Sequence, residues 1–440
     1  MRHLNRRVSL HTLGCKLNQA ETSALGVGFI SRGYAIVPFH EPAEITYINT
    51  CTVTNEAAAK SRQTIRQAIQ ASPQGKIVVA GCYAQISPEE ISRLEGVDLI
   101  LGSAEKFKLF DYLDSLGEEE NSEPLVYVND HREIQEYADS PYTAIGSRTR
   151  AFLKVQDGCD YNCSYCVIPV ARGRARSRPL DACLNEARDM VYQGYKELVL
   201  TGVNLGTWSA GQFVFHDLVD RLSRIEGIER IRISSIEVNL ITDQLISLVR
   251  ERENICPHFH VPLQHSSDNI LSAMRRRYNF SFYSKKLEQI ASAIQGVGIG
   301  ADVIVGFPGE TAEDFQHLAE SLIELPTTYH HIFRYSERRG TVAAMLTDPI
   351  PVAERKARSQ ILHEISRKKS SKFVKQFIGQ LRHVHLESVH DKRISGMTDN
   401  YLRVELAADE CTPGDIVPVE LIGLTANGLS GVLADQRIAK

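Results

Sequence analysis

Short apolar strands alternating with helices restrict the fold of this chain more than any other feature, and they come in two sets. The first set is "RVSLHTLG", "ITYINT" and "KIVVAG", followed by helical patterns such as 18–32 and 55–70. A strand that reaches its neighbour through a helix pairs with it in parallel and is covered on both faces, so this set predicts an α/β domain on a parallel sheet. The second set begins at residue 151 with six candidate strands: "AFLKVQDG", "ELVLTGVN", "RIRISSIE", "HFHVPLQH", "GADVIVGF" and "HHIFRYSE". Helices are expected between them at 180–194, 213–226, 240–254, 267–295 and 311–325. Six βα units are too few to close an eight-stranded barrel. The natural reading is a partial barrel with a wide mouth at the strand C-termini, with an open sheet as the alternative.

The segment "SLGEEENSEPLVYVNDHREIQEYADS" (115–140) interrupts the pattern with a charge run, which places a domain boundary there. A basic helix is expected over 353–376. From "GQLRHVHLESVHDK" onward the period changes to two, with turn signals "DK", "TDN", "TPGD" and "ANG". Five or so short antiparallel strands, enough for a small β-barrel, are expected there. The expected units are therefore 1–120, 145–375 and 376–440, consistent with 440 residues being too long for one core.

Nine cysteines, an odd number, are clustered rather than spread as a disulfide framework. The basic N-terminus lacks the apolar core of a secretory signal, and no run of about 18 apolar residues exists. These features predict a cytoplasmic protein with no membrane segment, whose thiols stay reduced and available to metal.

Three of the cysteines, Cys159, Cys163 and Cys166, lie in "DGCDYNCSYCVIP" with C-x3-C-x2-C spacing. Gly158, Asp160 and Asn162 between them argue for a loop. It follows the first strand of the second set, so it opens at the rim where such folds place their chemistry. Structural zinc wants four ligands, and neither a histidine nor a fourth cysteine lies near in sequence, Cys183 falling in an expected helix. A disulfide with one free thiol is disfavoured by the compartment. An iron–sulfur cluster held by three cysteines, with one iron open, fits better.

A second triplet is dispersed. Cys15 follows "SLHTLG", Cys51 follows "ITYINT" and Cys82 follows "IVVAG", each just past a strand. Ends of parallel strands converge on one edge, where ligands bind. A lone cysteine is often a small buried hydrophobe, but three at equivalent points predict another cluster with three protein ligands. Cys183, Cys256 and Cys411 show no such placement and read as structural.

C-x3-C-x2-C with Tyr165 before the last cysteine resembles the signature of radical S-adenosylmethionine enzymes. "TLGCKLNQAET", "NTCTVT", "GCYAQ", "GFPGET" and "FRYSERRGT" resemble, across essentially the whole chain, the methylthiotransferases of that superfamily. "LGCKLNQ" and "NTCTVTNEAAAKSR" are most similar to the branch acting on threonylcarbamoyladenosine in tRNA.

The resemblance implies a radical S-adenosylmethionine barrel, a C-terminal TRAM-like RNA-binding domain and two 4Fe-4S clusters. S-adenosylmethionine would be bound at the open iron of the Cys159 loop and cleaved to a 5′-deoxyadenosyl radical. A methylthio group would replace the hydrogen on adenine C2, beside the anticodon. An electron donor such as flavodoxin or ferredoxin is implied, and the sulfur source is left open. By the same resemblance, Tyr165, Asn204, Glu237, Gln264, Gly306, Pro308 and Gly309 are expected at the cofactor. Two departures stand out: "PLQHSSD" brings His265 and Ser266 where the family has a small pair, and Arg339 precedes Gly340 where proline is usual. Rival readings are the same chemistry on isopentenyladenosine or on a ribosomal-protein side chain, and a non-catalytic iron–sulfur RNA-binding protein.

With a formal net charge of −4, phosphates must be met by local patches. "ARGRARSR" offers Arg172, Arg174, Arg176 and Arg178 next to the cluster loop, and 354–376 holds eight Lys/Arg against two Glu. Arg382, His383 and His385 are the candidates in the C-terminal barrel.

Overall fold

The computed structural model describes residues 6–116, 123–130, 137, 149–408 and 411–434. The N-terminal sheet contains β1 (Arg7–Thr12), β2 (Ala35–Val37), β3 (Ile45–Thr50), β4 (Lys76–Gly81), β5 (Leu99–Leu101) and β6 (Leu125–Tyr127). Its order is β2-β1-β3-β4-β5-β6, parallel throughout. Helices α1 (Lys16–Ser31) and α2 (Asn55–Ala71) follow β1 and β3, and a short α3 (Cys82–Ile86) follows β4. Every residue of β3 is buried, as a parallel strand covered on both faces requires. The amide nitrogen of its polar Asn49 donates to the Asn18 carbonyl at 3.1 Å and the Thr22 hydroxyl at 3.2 Å.

Three strands were expected in this sheet and six are present. The additional β2, β5 and β6 have three residues each, too short for a periodic signal. β6 lies inside the segment read as a boundary, so the sheet extends past residue 120. The remainder of the expected boundary falls largely on 117–122, 131–136 and 138–148, outside the described residues.

The six expected central strands are all present: β7 (Arg150–Lys154), β8 (Glu197–Thr201), β9 (Arg230–Ile233), β10 (His258–His260), β11 (Gly298–Val305) and β12 (Tyr329–Arg334). They pair in parallel as β7-β8-β9 and β10-β11-β12. Parallel bridges Ile231–Ile255 and Ser235–His260 join the two halves. Among the described residues β7 and β12 do not pair, so the barrel is open.

The helix expected over 267–295 is two helices, α4 (Asp268–Ala273) and α5 (Phe280–Ala293). Arg275 takes a left-handed φ of 58° between them, and Asn279 caps α5 by accepting from the Phe282 amide. The basic helix is α6 (Val352–Lys375). Two of its cations point inward: Arg355 pairs with Glu337, and Arg358 with Glu310.

The C-terminal strands β13 (Leu381–His390), β14 (Arg393–Thr398), β15 (Arg403–Ala407), β16 (Ile416–Thr425) and β17 (Gly428–Leu433) form the expected closed barrel. It caps the N-terminal end of the central strands. Arg232 donates to the Asp399 and Thr398 carbonyls, Arg230 to those of Met397 and His383, and Tyr401 stacks on His258. His385 is wholly buried and Arg382 is paired with Asp399, which leaves only His383 exposed among the three residues expected to meet RNA.

Candidate active site

The Cys159 loop leaves the C-terminal end of β7, as expected, and is irregular rather than helical. Gly158 has φ of 68°, and a Cβ there would sit 1.9 Å from the Arg174 carbonyl oxygen, so only glycine fits. The Cys159 amide donates to the Gly173 carbonyl at 3.0 Å, and the Cys166 amide to the Cys163 carbonyl at 3.1 Å. Ser164 pins the loop to the barrel: its hydroxyl donates to the Ala273 carbonyl at 2.7 Å and its amide to that of Met274 at 3.0 Å. Burial pushes the Cys166 thiol up to about 12 and raises Cys159.

Around this loop stand several of the expected cofactor residues. Tyr165 and Gln264 line one cavity with Cys166, Ile304 and Phe333. Asn204 turns its amide nitrogen toward the Cys159 sulfur at 3.9 Å, while its backbone N–H is held by Gln156 at 2.8 Å. Glu237 is paired with Arg276, whose guanidinium also reaches the Cys163 sulfur at 3.2 Å and the Tyr165 hydroxyl at 3.4 Å. Burial raises the Glu237 carboxyl, and Arg276 opposes it.

Arg276 was missed in the sequence because it lies inside what reads as one helix; the triple arginine "RRRYN" was the available signal. Gly306, Pro308 and Gly309 form a turn with φ of 77° and 82° at its glycines. Glu310 closes it by accepting from the Gly306 amide at 2.5 Å. The turn meets the site through Phe307, which packs in one cluster with Tyr165 and Ile304. The departing residues lie elsewhere: His265 is buried 3.8 Å from Glu310, Ser266 bonds His317 at 2.8 Å, and Arg339 is exposed.

The dispersed triplet is assembled by register. Thr50 of β3 pairs with Gly81 of β4, so Cys51 and Cys82 emerge side by side. Cys15 sits at the N-terminus of α1 after Gly14, whose φ is 90° and where a Cβ would lie 2.8 Å from the Cys51 sulfur. The buried Asn18 amide ties these loops together, donating to the Leu13 carbonyl at 2.8 Å and the Thr50 carbonyl at 3.1 Å. Burial pushes the Cys51 thiol up to about 11. It also raises Cys82, against the pull of Arg172 and Lys106.

All six cysteines are free thiols. Each triplet offers three thiols, with no fourth protein ligand among the contacts of its described residues, and three thiolates are a donor set that iron–sulfur clusters use.

Between the triplets lies a buried charge network. Arg172 reaches across from the Cys159 side to Glu21 of α1 at 2.9 and 3.1 Å, to Asp157 at 2.9 Å and to Asn18 at 2.6 Å. Lys154 bridges Glu21 and Asp157, and Lys106 pairs with Glu21 at 2.6 Å. Burial alone would raise the Glu21 carboxyl, yet Arg172, Lys106 and Lys154 hold it well below the usual range.

Three of the four arginines expected to meet RNA are thereby corrected. Arg172 and Arg178 are buried, the latter paired with Glu186, and Arg176 folds back onto the Arg172 and Arg174 carbonyls. Only Arg174 projects outward, its side chain 77% exposed. On the far side of the cavity, Arg338 is buried and donates to Thr52 and to Asn55 (2.6 Å for the latter), fixing the Cys51 loop to the barrel.

Residues 7–102 match the family described as "Uncharacterized protein family UPF0004", and residues 153–322 match the radical SAM superfamily. The chain is 38% identical to the "Threonylcarbamoyladenosine tRNA methylthiotransferase MtaB" of Bacillus subtilis (strain 168), over 94% of this chain and 93% of that one. It is 38% identical to the protein of the same name from Aquifex aeolicus (strain VF5), over 91% and 96%. It is 31% identical to the "tRNA-2-methylthio-N(6)-dimethylallyladenosine synthase" of Methylacidiphilum infernorum (isolate V4), over 96% and 94%. A solved structure of the radical S-adenosylmethionine methyltransferase TsrM from Kitasatospora setae, with cobalamin and a [4Fe-4S] cluster bound, shares the fold with a TM-score of 0.58 at 14% identity, over 77% of each chain. Likeness of this extent, over nearly the full length, makes the chain a member of the methylthiotransferase family of radical S-adenosylmethionine enzymes.

Proposed function

We propose that the chain adds a methylthio group to C2 of threonylcarbamoyladenosine beside the tRNA anticodon, with a 4Fe-4S cluster in each cysteine triplet. One observation carries this reading: Val53 and Thr54, which follow Cys51, line the same cavity as Tyr165 and Cys166. The segment that follows Cys51 therefore borders the cavity of the Cys166 loop, the proximity that radical generation and sulfur delivery at one carbon would require. An aromatic C–H has no acidic proton and no leaving group, so general acid–base or nucleophilic chemistry has no handle on it.

A cluster with one iron free of cysteine supplies, with S-adenosylmethionine, a radical able to take that hydrogen. The protein's own residues hold and shield. Cys159, Cys163 and Cys166 carry one cluster; Cys15, Cys51 and Cys82 carry the other. Asn204, Glu237 and Gln264 offer polar contacts to the cofactor, Tyr165 and Ile304 wall off water, and Gly306, Pro308 and Gly309 shape the approach of the backbone. Arg174 meets a phosphate, and a flavodoxin or ferredoxin supplies electrons. The target adenosine lies in a single-stranded loop, so no duplex has to be opened to present it.

The names of the curated relatives favour the threonylcarbamoyl substrate over the dimethylallyl one. Anaerobically reconstituted enzyme should be given reductant and S-adenosylmethionine with tRNA carrying either modification, or with ribosomal protein, followed by nucleoside and peptide mass analysis. Methylthiolation of threonylcarbamoyladenosine supports the reading. Product only on dimethylallyladenosine or on protein overturns it.

A further inference from the structure

Strands β11 and β12 place an unassigned group of side chains on the inner face of the barrel, beside the cysteine mouths. Asp302 and His331 are cross-strand partners in the β11–β12 register. One Asp302 carboxylate oxygen, Oδ1, lies 3.2 Å from His331 Nδ1 and 3.1 Å from His260 Nε2, and His260 Nδ1 lies 2.6 Å from the Ser235 hydroxyl. Groups from three neighbouring strands or strand ends, Asp302, His260 and Ser235, thus brace the His331 imidazole. His331 is itself 53% exposed, whereas His260 is 12% and Asp302 21%. Two residues further along β12, on the same face, Phe333 presents an exposed ring, and both Phe333 and Asp302 line the cavity that contains Cys166. An aromatic face next to a braced polar edge is the chemistry that reads an unstacked nucleobase.

We infer that His331 is a specificity-determining contact that accepts a hydrogen bond from the N–H on C6 of the target purine, with Phe333 stacking against the base and Asp302 positioning His331. A donor relation to Asp302 through Nδ1 fixes the tautomer and leaves Nε2 with a lone pair, which matches an exocyclic N–H and rejects a purine lacking one. The inference rests on the proposal that tRNA is the substrate.

The test is a coupling measurement on reconstituted enzyme. Anticodon stem-loops carrying adenosine, or purine riboside without the amino group, at the target position, with a loop carrying threonylcarbamoyladenosine as reference, are titrated against wild type, His331→Phe, His331→Gln and Phe333→Leu. Wild type should prefer adenosine by about five- to tenfold, the range of one neutral hydrogen bond. His331→Phe should reduce that ratio to near one, and His331→Gln, which keeps an acceptor, should restore part of it. Phe333→Leu should weaken both loops equally while keeping the ratio. A ratio in His331→Phe equal to that of wild type, or a wild-type ratio near one, overturns the inference and leaves the tRNA reading intact. Wild type that neither binds nor methylthiolates the loop carrying threonylcarbamoyladenosine removes the tRNA reading and this inference with it.

Discussion

The two cysteine triplets solve the same problem by opposite means. Cys159, Cys163 and Cys166 occupy one loop, whose shape is set locally by Gly158 and a few backbone hydrogen bonds. Cys15, Cys51 and Cys82 come from three loops, and only the parallel register of β1, β3 and β4 brings them together. The first triplet is therefore vulnerable to local conformation and the second to sheet packing. What they share is the network of Glu21, Arg172, Asp157, Lys154 and Lys106 buried between them, which holds the two halves at a fixed relation.

The largest effects should separate the triplets by chemistry. Cys159→Ala should abolish formation of 5′-deoxyadenosine from S-adenosylmethionine. Cys51→Ala should leave that cleavage in place and stop sulfur insertion into tRNA. Equal loss of cleavage in both would argue against divided roles.

Next come variants that act on geometry alone. Gly158→Val should halve the iron bound after reconstitution by removing the local loop. Gly81→Val, whose Cβ would meet the Asn49 side-chain oxygen at 2.4 Å, should halve it by displacing Cys82. Loss of all iron in both would mean that the two sites do not form independently.

Arg172→Met tests the connection between them. It leaves Glu21 and Asp157 buried with one cation fewer, which should cost about 3–5 kcal/mol in denaturant unfolding; a cost near zero would show that Lys106 and Lys154 suffice. The same network has a pH signature. The Glu21 carboxyl is held low in the folded state, so its contribution is complete above the ordinary carboxylate pKa and is lost as pH falls through the acid range. Stability of wild type should fall there more steeply than that of Glu21→Gln.

The smallest effect is expected at Arg174. Arg174→Ala should weaken tRNA binding severalfold and lower the salt slope by about one, as for a single phosphate contact; an unchanged slope would remove it from the interface.

Legibility in the sequence followed the same division. The contiguous triplet could be read directly, because spacing and loop-forming neighbours lie within one segment. The dispersed triplet was legible only because each cysteine follows an apolar run that ends a strand. Arg276 was not legible, since its contacts with Glu237 and Cys163 join segments far apart in the chain and its own segment reads as helix. Arg172 was misread for a related reason. A run of arginines near an active mouth suggests phosphates, but the carboxylate that captures Arg172 is Glu21, on a helix of the other domain. β5 and β6 escaped notice because three residues carry no period, and sheet pairing alone makes them strands.

The central claim is that each triplet holds its own cube. Iron and sulfide counting with Mössbauer spectroscopy on anaerobically reconstituted wild type, and on variants with either triplet replaced by alanine, measures this directly. Two 4Fe-4S clusters are expected in wild type and one in each variant, each with a single iron free of cysteine. Zinc in either triplet, or a single cluster in wild type, would contradict it.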